Sequence, residues 1–308
     1  MEKHDIIILG DGVSGLSAAI YAARADLKPL LITGYESGGQ LMLTTEVENY
    51  PGFPEGIMGP ELIENMRKQA ERFGTKILYK RAESISGSQD DYVIDLEDEK
   101  ISTKSIIIAT GASARTLKLD AEKTYFGKGI STCATCDGAF TKGKKVIVVG
   151  GGDSAMEESL FLSKFADSVT IVHRKDVFRA SKIMQQRVFD NPKIQIIWNH
   201  EVMDIMGDNN RVSKALLKNT IDNTTVEEDT DFVFYAIGHD PNVKFLNGMV
   251  ELNEHGYIIT DDMQRTSREG IFAAGDVQDH IWRQAVTAAG TGAAAAISAE
   301  RYLSHKNG

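Results

Sequence analysis

Two stretches of the chain carry the same order of apolar and polar runs. HDIIILGDGVSGLSAAIYAARADLKPLLITG, residues 4–34, reads as an apolar strand, a glycine turn, a helix with apolar and small residues on one face, and a second strand ending near Thr33. KKVIVVGGGDSAMEESLFLSKFADSVTIVHRK, residues 144–175, repeats that grammar. It predicts a strand from Lys145 to Val149, a helix from about Ser154 to Phe165 and a strand from Val169 to Val172. Between them YVIDLEDEKISTKSIIIATGAS reads as two or three strands closed by a turn at Gly111, and beyond them IQIIWNHEVMDIMG, RVSKALLKN and DFVFYAIGHDPN read as further strands. The tail, residues 266–303, predicts a short strand, a glycine–aspartate turn and an alanine-rich helix up to Leu303, suited to close packing against another backbone or a cofactor.

The repeat is of whole domains. If the second βαβ unit is inserted into the first domain, boundaries fall near Ser113 and His239 and the tail rejoins the N-terminal part. The fold class expected is therefore α/β, two Rossmann-like three-layer ββα units, 1–113 with 240–308 and 114–239. At 308 residues two domains agree with the length, and 42% hydrophobic with 25% charged residues is the profile of a folded chain. A net charge of -10 gives no general pull toward nucleic acid or anionic membrane. No apolar run is long enough for a membrane span or a secretory signal, so the expected location is the cytoplasm.

Gly10-Asp11-Gly12-Val13-Ser14-Gly15 follows a strand and opens a helix, as a dinucleotide fingerprint requires. Its glycines allow the tight turn, the approach of a pyrophosphate and close helix–strand packing. Glu36, after the second strand, stands where an acid bonds a ribose hydroxyl, which favours an unphosphorylated ribose as in FAD or NAD. Gly150-Gly151-Gly152-Asp153-Ser154-Ala155 is the variant ending in alanine. After its second strand come His173, Arg174 and Lys175, then Arg179, cations where a 2′-phosphate needs them. That site reads as one for NADPH.

Both cysteines of the chain, Cys133 and Cys136, lie in STCATCDGAF. There is no second CxxC and the nearest histidine along the chain is His173, so the ligands of a zinc site are lacking and no metal is expected. A CxxC close to a helix N-terminus is a redox arrangement, because the spacing permits a disulfide and the local potential favours a thiolate. Asp137 beside it has two readings from spacing alone, an N-cap or turn residue, or a carrier of the proton that disulfide reduction consumes. Two nucleotide sites and a dithiol make a flavin the missing link, since nicotinamide and disulfide each exchange two electrons.

The chain resembles the low-molecular-weight thioredoxin reductases of bacterial and archaeal type, within the FAD-dependent pyridine nucleotide-disulfide oxidoreductases. The resemblance covers essentially the whole chain and rests on CATCDG at 133–138, the first fingerprint, GGQL at 38–41, TTEVENYPGF at 44–53, GGGDSAMEE at 150–158, HRKDVFRASKIM at 173–184 and FAAGDVQDHIWRQAVTAAGTG at 272–292. It implies that Gly10, Gly12 and Gly15 hold the FAD pyrophosphate, and that Thr33, Glu36, Gly39, Gln40 and Asn49 line its adenosine and ribityl portions. Thr110, Gly111, Gly275, Asp276, Arg283, Gln284 and Ala285 would contact the rest of the flavin. Gly152, Asp153, Ser154, His173, Arg174, Lys175 and Arg179 would bind NADPH in the inserted domain. Cys133 and Cys136 would be the redox disulfide and Asp137 the acid that protonates the departing thiolate. The activity implied is electron transfer from NADPH through FAD and this disulfide to thioredoxin or a thioredoxin-like protein, in a homodimer whose NADPH domain rotates during the cycle.

The chain departs from the family pattern at two places. Asp11, with Val13 and Ser14, stands where members have a small residue and proline–alanine, and its charge weakens FAD binding unless it points away from the pyrophosphate. Lys175 replaces the usual arginine and loses the guanidinium fork, so preference for NADPH over NADH is expected to persist but soften. Rival readings are a flavin-dependent dithiol oxidase, disfavoured by the intact cation array, and a non-catalytic flavin redox sensor.

Overall fold

The computed structural model describes residues 2–34, 37–44, 46–208 and 211–307. The chain divides into two compact α/β units, Met1–Ser113 with Asp240–Gly308, and Ala114–His239. Each is of Rossmann type.

In the first unit the sheet order is Lys76–Leu78, Leu30–Ile32, Glu2–Leu9, Lys100–Ile108, Asp91–Leu96, Ala82–Ser88. The first four strands are parallel and the last two continue antiparallel. Lys100–Ile108 is shared along its length. Residues 100–103 pair with Asp91–Leu96, and 106–108 pair with the tail strand Ile271–Ala273. The apolar runs lack polar alternation because both faces are covered. Ile6, Ile8, Ile107 and Phe272 face the helices Val13–Arg24 and Ala285–Asn307, whereas Ile7, Leu9, Ile106 and Ile108 face a second core containing Tyr92, Ile94 and Ile258. The tail helix packs against the first one through small residues: Ala295, Ala296 and Ala299 bury with Ala18, Ala19 and Ala22, and a Cβ on Gly292 would lie 2.1 Å from the Ser14 carbonyl oxygen.

One element of this unit lies outside the repeated pattern. Helix Gly59–Arg72 begins with Pro60 in its first turn and buries Leu62, Ile63, Met66 and Ala70, an amphipathic stripe.

The second unit has a parallel sheet ordered Ile130–Ser131, Phe232–Ala236, Lys145–Gly150, Ser168–His173, Ile194–Trp198. Val146, Val148 and Ile171 face the helix side, and Ile147, Val149 and Val172 face an antiparallel sheet of His200–Asp208, Arg211–Asn219 and Thr225–Asp229. Two details differ from the sequence reading. The fingerprint helix is Asp153–Leu162 and does not reach Phe165, because Lys164 and Phe165 already bond three residues back, to Phe161 and Leu162. Thr225–Asp229, mostly polar and exposed, is a strand only by virtue of its ladder to Arg211–Asn219.

At the chain crossings each unit is stitched on its own side. Asn242 donates its N–H to the Gly111 carbonyl at 3.0 Å and its amide to the Thr110 carbonyl at 2.9 Å, while the Arg115 N–H donates to the Gly238 carbonyl at 2.9 Å.

Candidate nucleotide and dithiol sites

The first fingerprint turn sits where parallel strands end, the place at which open α/β sheets bind ligands. Gly10 N–H donates to the Ile32 carbonyl at 2.8 Å, Ala109 N–H to Leu9 at 2.8 Å and Ala274 N–H to Ile108 at 2.9 Å, so four strand ends meet at one edge. Gly10 has φ +100°, and a Cβ there would lie 2.3 Å from the Ala109 carbonyl oxygen. Gly12 faces open space, and the helix starting at Val13 presents its first N–H groups, which have no helical partner. This opening fits an anionic diphosphate. Gly15 closes the turn from the other side, against the Gly10 carbonyl.

Asp11 does point away from that opening. Its carboxylate is 1% exposed. It accepts from Gly38 N–H at 2.8 Å, Ser37 Oγ at 2.5 Å and Arg67 Nη2 at 3.0 Å. Its charge, which would weaken the binding of a pyrophosphate, is paired with an arginine from the helix Gly59–Arg72.

Several other candidates gather around this turn. Thr33 is buried at the end of the second strand, Gly39 lies against Gly12, and the Gln40 amide donates to the Ala112 carbonyl next to Gly111. Thr110 donates its hydroxyl to the Asn242 carbonyl at 2.8 Å. Gly275 donates its N–H to Thr291 Oγ1 at 2.9 Å and leaves room for Ser14. Asn49 donates to Gln284 Oε1 at 3.2 Å, and Tyr50, Phe53 and Ala285 pack with Val13 and Leu16 of the fingerprint helix. Burial, with Asp279 adding to it and Arg283 opposing, pushes the Asp276 carboxyl up to about 6. Glu36 lies outside the described residues.

The second turn is built differently. A Cβ on Gly151 would meet the His173 ring at 2.2 Å. His173 is 7% exposed, its Nε2 lies 3.0 Å from the Val177 carbonyl oxygen, and it packs on Phe178 and Trp198. Burial holds its imidazole below the ordinary histidine range, although bonds to the Val177 and Gly150 carbonyls oppose that. His173 thus differs in placement from the exposed Arg174 and Lys175 beside it: its ring is wedged beneath the glycine turn, where burial makes its charge costlier to hold. Asp153 also differs from expectation. Its carboxylate is taken by Ser181, N–H at 2.9 Å and Oγ at 2.8 Å, and it supports the start of helix Lys182–Phe189. Gly152 faces open space and Ser154 is exposed beside it. Arg174, Lys175 and Arg179 are exposed, and among the described residues none of the three makes a salt bridge. The Arg179 N–H is tied to the Gly151 carbonyl at 2.8 Å, which keeps that cation at the turn.

Cys133 and Cys136 are joined as a disulfide in this same unit. Ala134–Asp137 is a single helical turn, with Ala134 buried beside Ala155, Met156 and Leu162 of the fingerprint region. The turn is too short for the helix-terminus potential expected at the thiols. Cys136 is exposed and Cys133 partly so. Asp137 ends that turn and stands at the N-cap position of the 3-10 turn Gly138–Thr141, but its side chain makes no capping bond. Burial raises its pKa, and a hydrogen bond from Ser131 partly offsets this. Ser131 Oγ also accepts the Cys133 N–H at 3.1 Å, so one buried hydroxyl joins the dithiol backbone to the acid. Sequence reasoning missed Ser131, although it stands two residues before Cys133.

The chain matches the family model of pyridine nucleotide-disulphide oxidoreductases over residues 4–292. It is 46% identical to a thioredoxin reductase of Coxiella burnetii, covering 99% of this chain and 98% of that protein. It is 49% identical over 98% of its length to the NADPH-dependent thioredoxin reductase 3 of Arabidopsis thaliana, of which it spans 59%. Among solved structures, a thioredoxin reductase from Streptococcus pyogenes superposes with TM-score 0.94 at 41% identity, covering 98% of this chain and 99% of that one. Among the described residues no helix is long and apolar enough to cross a membrane, and no group of His, Cys, Asp and Glu could hold a metal ion.

Proposed function

This chain belongs to the pyridine nucleotide-disulphide oxidoreductase family, and from that premise we propose that it is an NADPH-dependent thioredoxin-disulfide reductase. In this reading Met1–Ser113 with Asp240–Gly308 is the FAD-binding domain and Ala114–His239 the NADPH-binding domain. The observation that carries it is the accessible Cys133–Cys136 disulfide, beside an acid raised by burial and in one unit with a cation-rimmed fingerprint turn. Bound flavin and NADPH supply a two-electron route from nicotinamide to disulfide.

The residues of the chain do the rest. Gly10, Gly12 and Gly15 hold the FAD diphosphate at a helix N-terminus, and Arg174, Lys175 and Arg179 grip the 2′-phosphate of NADPH. When the Cys133–Cys136 bond opens, Asp137 delivers a proton to the departing thiolate. One thiolate of the pair then attacks the partner's disulfide to form a mixed disulfide. The second thiol resolves it, which re-forms Cys133–Cys136 and releases the partner as a dithiol. The working form is a cytoplasmic homodimer.

Steady-state NADPH oxidation by the flavin-loaded protein with a panel of thioredoxin-like acceptors tests this. Continuous oxidation is expected, lost with Cys136→Ser. A single stoichiometric turnover would instead identify a sensor, and oxygen consumption with a small dithiol and no NADPH an oxidase.

A further inference from the structure

We infer that Asp11 and Arg67 are a positioning pair for the first nucleotide site: their ion pair holds the turn at 37–39 against Gly12 and thereby sets the width of the diphosphate opening. This rests on reading that turn as the flavin nucleotide site. A carboxylate 1% exposed is costly to bury without a partner, and all the more so next to a bound anion. Here it is the node at which three segments meet. Oδ1 takes the Gly38 N–H at 2.8 Å, and Oδ2 takes Ser37 Oγ at 2.5 Å and Arg67 Nη2 at 3.0 Å. The same Nη2 donates to Ser37 Oγ at 2.7 Å, while Nη1 reaches Glu64 Oε2 at 3.3 Å.

The clamp acts on backbone that is hard to hold by other means. Gly38 and Gly39 have φ of +92° and +67°, and the side of Gly39 where a Cβ would project lies 3.4 Å from Gly12 Cα. Gly12 is the fingerprint residue with open space before it. Fixing Gly38 therefore fixes the wall opposite the diphosphate, and Arg67 cancels a charge that would repel it. The guanidinium fork is needed because one residue serves Asp11, Ser37 and Glu64 together.

The test is FAD titration of the apoprotein, read by flavin fluorescence, for wild type, Arg67→Met, Asp11→Asn and the double variant, with NADPH affinity as the control. Arg67→Met is expected to weaken FAD binding at least tenfold and leave NADPH affinity unchanged. Adding Asp11→Asn should recover only the part of the loss that comes from the unpaired buried charge, because an amide needs no cation and still accepts the Gly38 N–H, while the lost hold of Arg67 on Ser37 keeps FAD binding weaker than in wild type. Should Arg67→Met not fold, Arg67→Lys carries the test and is expected to bind FAD several-fold more weakly than wild type. Wild-type FAD affinity in Arg67→Met or Arg67→Lys overturns the inference, and so does a double variant worse than Arg67→Met. Failure of the wild-type apoprotein to bind FAD at all overturns the reading of the site itself.

Discussion

At the first fingerprint turn the residue after the leading glycine is Asp11, buried and tied to Arg67; at the second it is Gly151, with the His173 ring where a side chain would go. Both turns are propped, one by a charge pair reaching in from a separate helix and the other by a buried ring from the next strand. Their rims differ as well, since exposed arginines and lysine surround the second turn. The glycine spacing thus specifies the turn, while the ligand's charge is answered by residues outside the motif. Each unit also keeps one carboxyl raised by burial, Asp276 in the first and Asp137 beside the dithiol in the second. Substitutions at these acids and at the rim test whether the two halves divide the work in this way.

Asp137→Asn should have the largest effect. Removing a general acid costs about 10²–10⁴ in rate, and the loss is expected in thioredoxin-dependent turnover and in reduction of the Cys133–Cys136 disulfide. The wild-type pH profile sharpens the point. With the folded pKa raised, the proton donor persists to higher pH than an ordinary carboxyl would, and activity falls as pH rises through that raised value. Ser131→Ala removes the bond that partly offsets burial, so the falling limb should move to higher pH. An unmoved profile with Asp137→Asn fully active would leave the dithiol without an acid in this unit.

Asp276→Asn probes the other unit, and the readout is stability of the apoprotein. Its folded value of about 6 lies above the ordinary 3.8. Below both values the carboxyl is neutral folded and unfolded. Between them the unfolded chain ionises first, so stability declines as pH rises and levels off above about 6, a loss of roughly 3 kcal/mol at most. Urea unfolding of apoprotein near pH 4 and pH 7.5 should show the wild type weaker at the higher pH and the variant without that slope. Parallel pH dependence in the two proteins would mean that Asp276 is not buried at this cost.

These outcomes also bear on what could be read from residues alone. The apolar runs at Ile6–Leu9, Ile106–Ile108 and Val146–Val149 named the central strands because strands covered on both faces leave no polar signal to confuse. Thr225–Asp229 escaped because an exposed polar edge strand has no such run. Arg67 escaped because its partner lies 56 residues away, in a motif whose usual form has no charge there. His173 reads from sequence as one of a run of exposed cations because its neighbours are cations; its burial beneath Gly151 is a property of the fold.

The smallest effect belongs to Lys175→Arg, set against Arg174→Ala at the same rim. Losing a charge-assisted bond to a phosphate costs about 1.5–3 kcal/mol, so Arg174→Ala should raise KM for NADPH roughly 10- to 150-fold with little change for NADH. Lys175 already carries its charge, and among the described residues it makes no salt bridge that holds it elsewhere. Arginine there adds only the fork, no more than about 1 kcal/mol at an exposed site, or roughly fivefold. Ratios of kcat/KM for NADPH over NADH read both variants: Arg174→Ala should lower the ratio and Lys175→Arg raise it a few-fold. A ratio unmoved by Arg174→Ala would make the rim a solvated basic surface, and the contrast between the two turns would then rest on Arg67 and His173 alone.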